Sequence, residues 1–460
     1  MTETFDVVVV GGGPAGEVAV ERLAAGGLLV ALVERELVGG ECSYWGCIPS
    51  KTLLRPGDVL AAARRVPGAA EAVNGSLDAH AAFAQRDYMT SSWSDEEQVR
   101  WLDGIGATLV RGHGRLAGER AVEVAQERGT RRLEARKAVI LATGTGPLLP
   151  PIPGLAKAMA WTNREATQSS QVPGRLLVLG GGAVGVELAQ AYRRLGSEVA
   201  LVEGAPRLLG REEPFAGEEV RATFEAEGID VLIEARAASV SRRNGTISLQ
   251  LEDGRELEGE ELLVGVGRRP STGDLGLESI GLEPGRAVEV DDSLRALGVE
   301  GGWLYAIGDV NGRAPLTHMG KYHGRLASDA ILGRDVNAIA DHRALPRVTF
   351  TDPQVAAVGL TEEQALEKGI DVRAVTHGTG DVPGAYTRGN GIKGTSKLVI
   401  DDSRSVIVGA TFTGPDVQEL LHSATIAIVG EVPLETLWHA VPSFPTVSEV
   451  WLRLLEAYGL

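Results

Sequence analysis

The sequence predicts an α/β protein that uses one parallel strand–loop–helix–strand unit twice. Three observations predict it. Short apolar runs such as Phe5–Val10 are bounded by glycine, as in strands buried on both faces. A glycine-rich loop, Gly11-Gly12-Gly13-Pro14-Ala15-Gly16, returns as Gly180-Gly181-Gly182-Ala183-Val184-Gly185. The spacing from loop to acid is also identical, with 23 residues from Gly11 to Glu34 and 23 from Gly180 to Glu203. A chain of 460 residues with 43% hydrophobic content and 60 glycines has room for about three domains with large cores and many turns.

In chain order, the Phe5–Val10 strand leads into the first loop, a helical pattern to about Ala25, and a strand from Leu28 to Val33 ending at Glu34. Gly11, Gly13 and Gly16 let backbone approach a pyrophosphate at a helix N-terminus, and Glu34 accepts hydrogen bonds from a ribose. Ser94–Leu102 reads as a helix, and Thr108–Val110 as a strand followed by Gly112 and Gly114. Val139–Leu141 runs into Ala142-Thr143-Gly144. The stacked prolines of Pro150–Gly154 then mark a boundary, because they suit neither a helix nor a central strand.

The second unit has strands at Leu176–Leu179 and Val199–Val202, with Gly180, Gly182, Gly185 and Glu203 in the positions of the first. Two copies imply two dinucleotides. A carboxylate at Glu203 accepts from a free ribose 2′-hydroxyl and repels a 2′-phosphate; nearby Arg207 and Arg211 read as a solvated loop. Val264–Pro270 contains Gly267, and Leu304–Asp309 is a strand ending in a Gly-Asp turn. Pro315–Gly320 opens a helix for which Thr317 is the expected cap. Composition changes again from about Leu345, through Val348–Pro353 and Val358–Thr361.

The only cysteines are Cys42 and Cys47. A zinc pair needs two more ligands nearby, and none are present. A chain of this length needs no secretory staple, and its start shows no export signal. Residues i and i+5 of a regular helix lie roughly 8–9 Å apart between Cα atoms, beyond the about 7 Å a disulfide tolerates. A bridge therefore requires a distorted turn, which Gly46 and Pro49 can supply. Such a reducible bridge in a cytosolic chain is a redox tool. Two unrelated buried thiols are the alternative.

Acidic residues outnumber Lys plus Arg by 62 to 45, giving a net charge of −17. That balance argues against nucleic-acid and anionic-membrane partners. No apolar run reaches membrane-spanning length, so the chain is expected to be cytoplasmic.

The run Gly46-Cys47-Ile48-Pro49-Ser50-Lys51 closely resembles the redox motif of the class I pyridine nucleotide–disulfide oxidoreductases. That family includes dihydrolipoamide dehydrogenase, glutathione reductase, mercuric reductase and the ketopropyl-coenzyme M carboxylase. The resemblance covers nearly the whole chain. It implies two Rossmann-like domains, for FAD and NAD, plus an α+β C-terminal dimerisation domain. The implied division is 1–150 and 271–344 for FAD, 151–270 for the nicotinamide nucleotide and 345–460 for dimerisation.

The cofactors it implies are FAD at the first fingerprint and NADH at the second, with NADPH less favoured. Cys47 is implied as the charge-transfer thiol facing the flavin and Cys42 as the interchange thiol. Lys51 and Glu187 match an ion pair at the flavin edge, where a cation favours reduced flavin and the Cys47 thiolate. Gly114 matches an adenine-side glycine, Thr143 and Gly144 the exit turn of the FAD domain, and Gly267 the exit of the nicotinamide domain. Asp309 is implied to bind the ribityl chain. Leu316 and His318 lie on a helix whose N-terminus faces the flavin pyrimidine, with His318 a cofactor contact only. A homodimer sharing its active sites is the implied assembly, acting on a disulfide, a quinone or another small acceptor.

One departure is plain. Where disulfide reductases of this family carry His-Pro followed by Glu, this chain reads Pro442-Ser443-Phe444-Pro445-Thr446-Val447-Ser448-Glu449. Phe444 replaces the proton-carrying His, while Glu449 keeps the acid's place or closes a capping box with Thr446. Phenylalanine transfers no proton, and general acid–base catalysis is worth roughly 10²–10⁴-fold. His439 reads as a helix-face or interface residue beside Trp438. Phe at this position is shared with the ketopropyl-coenzyme M carboxylase, which also replaces the Glu. The absence of a third cysteine disfavours mercury reduction through a cysteine tail. Tyr44 and Trp45, larger than usual there, either narrow access or pack. The expected function is a disulfide oxidoreductase with an altered proton step. The alternatives are a quinone or dye reductase, a carboxylase-like reductase, and a non-catalytic redox sensor.

Overall fold

The computed structural model describes residues 2–460. The chain divides into two compact units, each gathered from three separated segments. The first comprises Met1–Pro49, Asp87–Leu148 and Arg268–His342; the second comprises Ser50–Arg86, Leu149–Gly267 and Arg343–Leu460.

The first unit is built on a parallel sheet with strands in the order Thr108–Arg111, Val30–Glu34, Thr2–Val10, Gly129–Leu141 and Leu304–Ala306. Val7 pairs with Val30, Val10 with Leu141, and Ile140 with Tyr305. Val7, Val8, Val9 and Ile140 have no exposed surface. Both faces of this sheet are covered, so its strands are continuous apolar runs rather than alternating ones. Gly129–Leu141 also pairs antiparallel with Ala121–Gln126, which pairs in turn with His113–Leu116. The helices Pro14–Ala25 and Thr317–Ile331 cross closely, because a Cβ on Gly324 would stand 2.7 Å from the Ala15 carbonyl oxygen. The helix expected at Ser94–Leu102 forms slightly later, at Glu96–Gly104.

In the second unit, a parallel sheet orders Ile229–Leu232, Glu198–Val202, Arg175–Leu179 and Glu261–Val264. A three-stranded antiparallel sheet, Ala237–Arg243, Thr246–Leu251 and Glu256–Gly259, shares a buried core with it. The C-terminal part is a five-stranded antiparallel sheet packed with the helices Val417–Val429 and Val450–Tyr458 around Leu398, Ile400 and Phe412. This is the α+β arrangement expected for that part of the chain. Among the described residues no helix is long and apolar enough to cross a membrane.

One buried carboxylate ties together the three segments of the second unit. Asp352 accepts from Arg65 at 2.6 Å and from Arg194 at 2.9 Å. Its backbone N–H donates to Gln190 Oε1 and its carbonyl accepts from Gln190 Nε2. Two guanidiniums converge on one anion, and although Arg194 keeps Glu227 at 2.6 Å, removing Asp352 takes the carboxylate away from the part-buried Arg65. Asp352→Ala is therefore expected to cost about 3 kcal/mol, the lower end for breaking a buried pair. Denaturant unfolding measures it; a midpoint unchanged from wild type would contradict this account.

Candidate functional site

The redox turn lies where two helices fail to join. Gly40–Tyr44 is helical, Trp45 ends it at φ −136° and ψ 0°, and a new helix starts at Cys47 and runs to Arg65. A Cβ on Gly46 would lie 3.1 Å from the Glu41 carbonyl oxygen and 3.2 Å from Cys42 Cα. Glycine thus permits the close approach of the two cysteines that a continuous helix forbids. Pro49 contributes no distortion. It sits in the first turn of its helix, where its missing N–H would have had no partner in any case.

Cys42 and Cys47 are present as a half-buried dithiol. The hydrogen bond with Cys47 pushes the Cys42 thiol far up from its ordinary range, and burial and negative charge on Cys47 add to the effect. Cys47 Sγ also lies 3.4 Å from the Thr317 hydroxyl. Thr317 is not the cap expected of it: Leu316 is the N-cap residue and Thr317 the first residue of the helix, with no capping hydrogen bond. Its hydroxyl faces the thiol instead. The sequence signal that could have found it is its position at the start of the helix assigned to the flavin. His318, the next residue, is exposed.

Tyr44 and Trp45 pack inward. Tyr44 is buried and donates to the Val38 carbonyl at 3.0 Å, its ring lies 5.7 Å from that of Trp45, and Trp93 Nε1 donates to the Tyr44 carbonyl at 3.1 Å. The two aromatics anchor the back of the turn.

The first fingerprint is shaped for a pyrophosphate. Gly11 has φ +109°, and a Cβ there would strike the Ala142 carbonyl oxygen at 2.4 Å; one on Gly16 would strike the Gly11 carbonyl oxygen at 2.0 Å. Gly13 faces open space. Glu34 is oriented by two backbone donors, Gly12 N–H at 2.7 Å and Glu36 N–H at 2.7 Å. Gly114 packs against Val33 and Val10. Thr143 donates to the Ser271 carbonyl, and Gly144, at φ +67°, borders open space. The Asp309 carboxylate accepts from Thr145 at 2.7 Å, and Thr145 in turn accepts from Arg268 Nε at 2.8 Å. Burial pushes the Asp309 carboxyl up, against those polar contacts. Arg268 also pairs with Glu41, the neighbour of Cys42, at 3.5 Å. An open glycine loop and an oriented acid at the end of the second strand are the features of a dinucleotide-binding unit.

The second unit repeats the design. A Cβ on Gly180 or Gly185 would strike backbone oxygens at 2.6 and 1.9 Å, while Gly182 faces open space. Glu203 accepts from Gly181 N–H at 2.5 Å and from Ala205 N–H at 2.6 Å. Gly267, at φ +146°, is the last residue of the second unit's middle segment. Arg207 is held back on the Gly210 carbonyl, and Arg211 is exposed.

Lys51 stands one turn beyond Cys47 in sequence, and its Nζ reaches Glu187 Oε2 at 2.6 Å. The other Glu187 oxygen accepts from Phe350 N–H at 2.9 Å, and the Lys51 ammonium lies 4.9 Å from the Phe350 ring. Glu187 is therefore a buried ion-pair partner rather than a helix-end acid.

Near the C-terminus, Phe444 is 74% exposed and Glu449 is buried. Thr446 donates to the Ser443 carbonyl at 2.6 Å and makes no cap, so the capping box does not form. Glu449 Oε1 instead accepts from Arg453, one turn along, at 2.8 Å, while Oε2 is buried with no hydrogen-bond partner among the described residues. His439 is exposed at the end of the short helix Leu434–Trp438.

Residues 5–324 match the family described as pyridine nucleotide-disulphide oxidoreductase, and residues 345–454 match its dimerisation domain. The chain is 30% identical over 449 residues to a mercuric reductase of Staphylococcus aureus, covering 97% of this chain and 81% of that protein. It is 31% identical over 485 residues to a dihydrolipoyl dehydrogenase of Rhizobium etli, covering 100% and 99%. Among solved structures, LpdA from Mycobacterium tuberculosis superposes with a TM-score of 0.87 at 26% identity, covering all of both chains. A Cu(II) complex of the HOCl-induced flavoprotein disulfide reductase RclA from Escherichia coli gives 0.87 at 25% identity over 99% of each. Fingerprints, redox turn and these likenesses agree: the chain belongs to the pyridine nucleotide-disulphide oxidoreductase family and is an FAD-dependent NAD(P)H disulfide oxidoreductase.

Proposed function

We propose that this enzyme takes electrons from NADH, stores them on the Cys42–Cys47 pair, and hands them to its acceptor without the usual imidazole proton carrier. The observation that carries the reading is the close approach of the two cysteines across Gly46, with Cys47 against Thr317. Residues 1–150 and 271–344 would hold FAD, 151–270 the nicotinamide nucleotide, and 345–460 the dimer contact. FAD, when bound, supplies hydride acceptance from the nicotinamide and two-electron delivery to sulfur.

The chain's own residues do the rest. Gly11, Gly13 and Gly16 receive the pyrophosphate, Glu34 the adenosine ribose and Asp309 the ribityl hydroxyls. Gly114, Thr143, Gly144, Leu316 and His318 line the remainder of that site. Lys51, held by Glu187, supplies the positive charge that favours ionised Cys47. Cys42, whose thiol is pushed up by its hydrogen bond with Cys47 and by burial, faces the acceptor and must lose its proton when the disulfide re-forms. Phe444 occupies the place of the group that would take it, so ordinary dithiol exchange is slow. The family's dimerisation domain supports a homodimer, and the exposed apolar side chains of Trp438, Val441 and Phe444 suit burial in it.

Glu203 favours NADH. Its two backbone donors fix the carboxylate where a 2′-phosphate would be repelled, and Arg207 is engaged elsewhere. A second reading, an NADH-dependent quinone or dye reductase, draws support from the same Phe444, because such acceptors do not need the interchange thiol.

Three measurements test these statements. Phe444→His is expected to raise lipoamide or glutathione disulfide turnover by about tenfold or more, part of the roughly 10²–10⁴ that acid–base catalysis contributes; no gain would overturn the altered proton step. Cys42→Ala should abolish disulfide reduction; if the variant keeps full quinone turnover and wild type reduces no disulfide, the second reading replaces the first. Glu203→Ala should raise KM for NADH and narrow the preference over NADPH, and an unchanged ratio of the two kcat/KM values would remove Glu203 from that role.

A further inference from the structure

We infer that His323 is a positioning residue for the flavin site: its neutral imidazole, anchored by Asp341, fixes the Gly308 peptide and so aims Asp309. The inference rests on the proposal above that Asp309 binds the ribityl chain. His323 lies on the helix Thr317–Ile331 and has no exposed surface. Its Nδ1 is 3.2 Å from the Gly308 amide nitrogen and 3.3 Å from Asn311 Nδ2. An amide N–H can only donate, so Nδ1 is the acceptor and the ring proton sits on Nε2. Nε2 meets Asp341 Oδ1 at 2.8 Å.

Asp341 is fixed in turn. Arg313 donates to its Oδ2 at 3.0 Å and also reaches the Val290 carbonyl at 2.6 Å. Burial alone would raise the Asp341 carboxyl, but hydrogen bonds from His323 and Arg313 outweigh it and hold the group below the usual carboxylate range. A stably ionised Asp341 favours the Nε2–H tautomer, which leaves Nδ1 open to Gly308. Gly308 has φ +71°, and a Cβ there would meet Ala15 Cβ at 3.3 Å. The backbone at the turn is thus held from below by His323, while the Asp309 carboxylate is held from the side by Thr145. An apolar side chain of equal size would fill the space and leave the Gly308 donor without a partner.

The test measures FAD release from the purified holoenzyme on dilution, followed by flavin fluorescence, with the melting temperature of each variant recorded beside it. His323→Leu is expected to raise the FAD dissociation constant about tenfold or more, as losing a buried acceptor implies. His323→Gln, which can accept through Oε1 and donate through Nε2, should return it to near wild type. Asp341→Leu, which leaves the imidazole in place without its anchor, should also weaken FAD, and it carries the test should His323→Leu fail to fold. Wild-type retention in both His323→Leu and Asp341→Leu, or release from His323→Gln as fast as from His323→Leu, overturns the inference. Asp309→Ala is the control. If it alone weakens FAD, only the positioning role fails; if it retains FAD as wild type does, the reading of Asp309 itself fails, and this inference with it.

Discussion

Two thiols five positions apart on a regular helix cannot react with each other, and this enzyme's chemistry needs them to. The obstacle is removed at one residue. Gly46 lets the chain fold back so tightly that even a methyl group would crowd the Glu41 carbonyl and Cys42 Cα. The remaining features of the turn support that bend. Tyr44 and Trp45 bury its back, Trp93 holds a carbonyl on it, and Glu41 ties it to Arg268. Through Thr145 the same arginine reaches Asp309, so the redox turn and the proposed ribityl anchor belong to one polar network inside the first unit.

The two dinucleotide cradles show how far a duplicated constraint carries. In each, the middle glycine of the loop donates its N–H to Oε2 of the acid 22 residues later. A second backbone donor two residues beyond the acid takes Oε1. The carboxylate is pre-oriented by the fold itself, and binding a ribose need not order that side chain. The equal spacing along the chain has this geometric cause: strand, helix and strand must be of matched length for the acid to return beneath the loop.

What could be read from the sequence was whatever depends on backbone geometry. Glycines that must pass close to a carbonyl, apolar runs buried on two faces and an acid at the end of a strand have few substitutes, so their spacing reveals them. Side-chain destinations were less legible. Thr317 has the composition of a cap and instead turns its hydroxyl to Cys47, because Leu316 takes the cap position and a thiol lies within reach. Thr446 and Glu449 have the spacing of a capping box, yet Thr446 finds the Ser443 carbonyl and Glu449 finds Arg453. Local competition between near-equal hydrogen bonds decided both cases, and tertiary packing set the outcome. His323 and Asp341 could not be paired from sequence at all, since a loop and a turn separate them and neither belongs to a motif.

The proton on Cys42 is the point at which these observations converge. The hydrogen bond with Cys47 and burial push its thiol up, and re-forming a disulfide must remove its proton. In most disulfide exchange a neighbouring imidazole performs that removal. Phe444 provides no basic atom, and Glu449, though one of its oxygens is buried without a hydrogen-bond partner among the described residues, is tied to Arg453 on the other. Under the proposed altered proton step, the burden passes to solvent or to the acceptor. On that proposal, an acceptor that brings its own base, or that takes electrons without forming a sulfur bond to Cys42, would avoid the need for a protein-borne proton carrier.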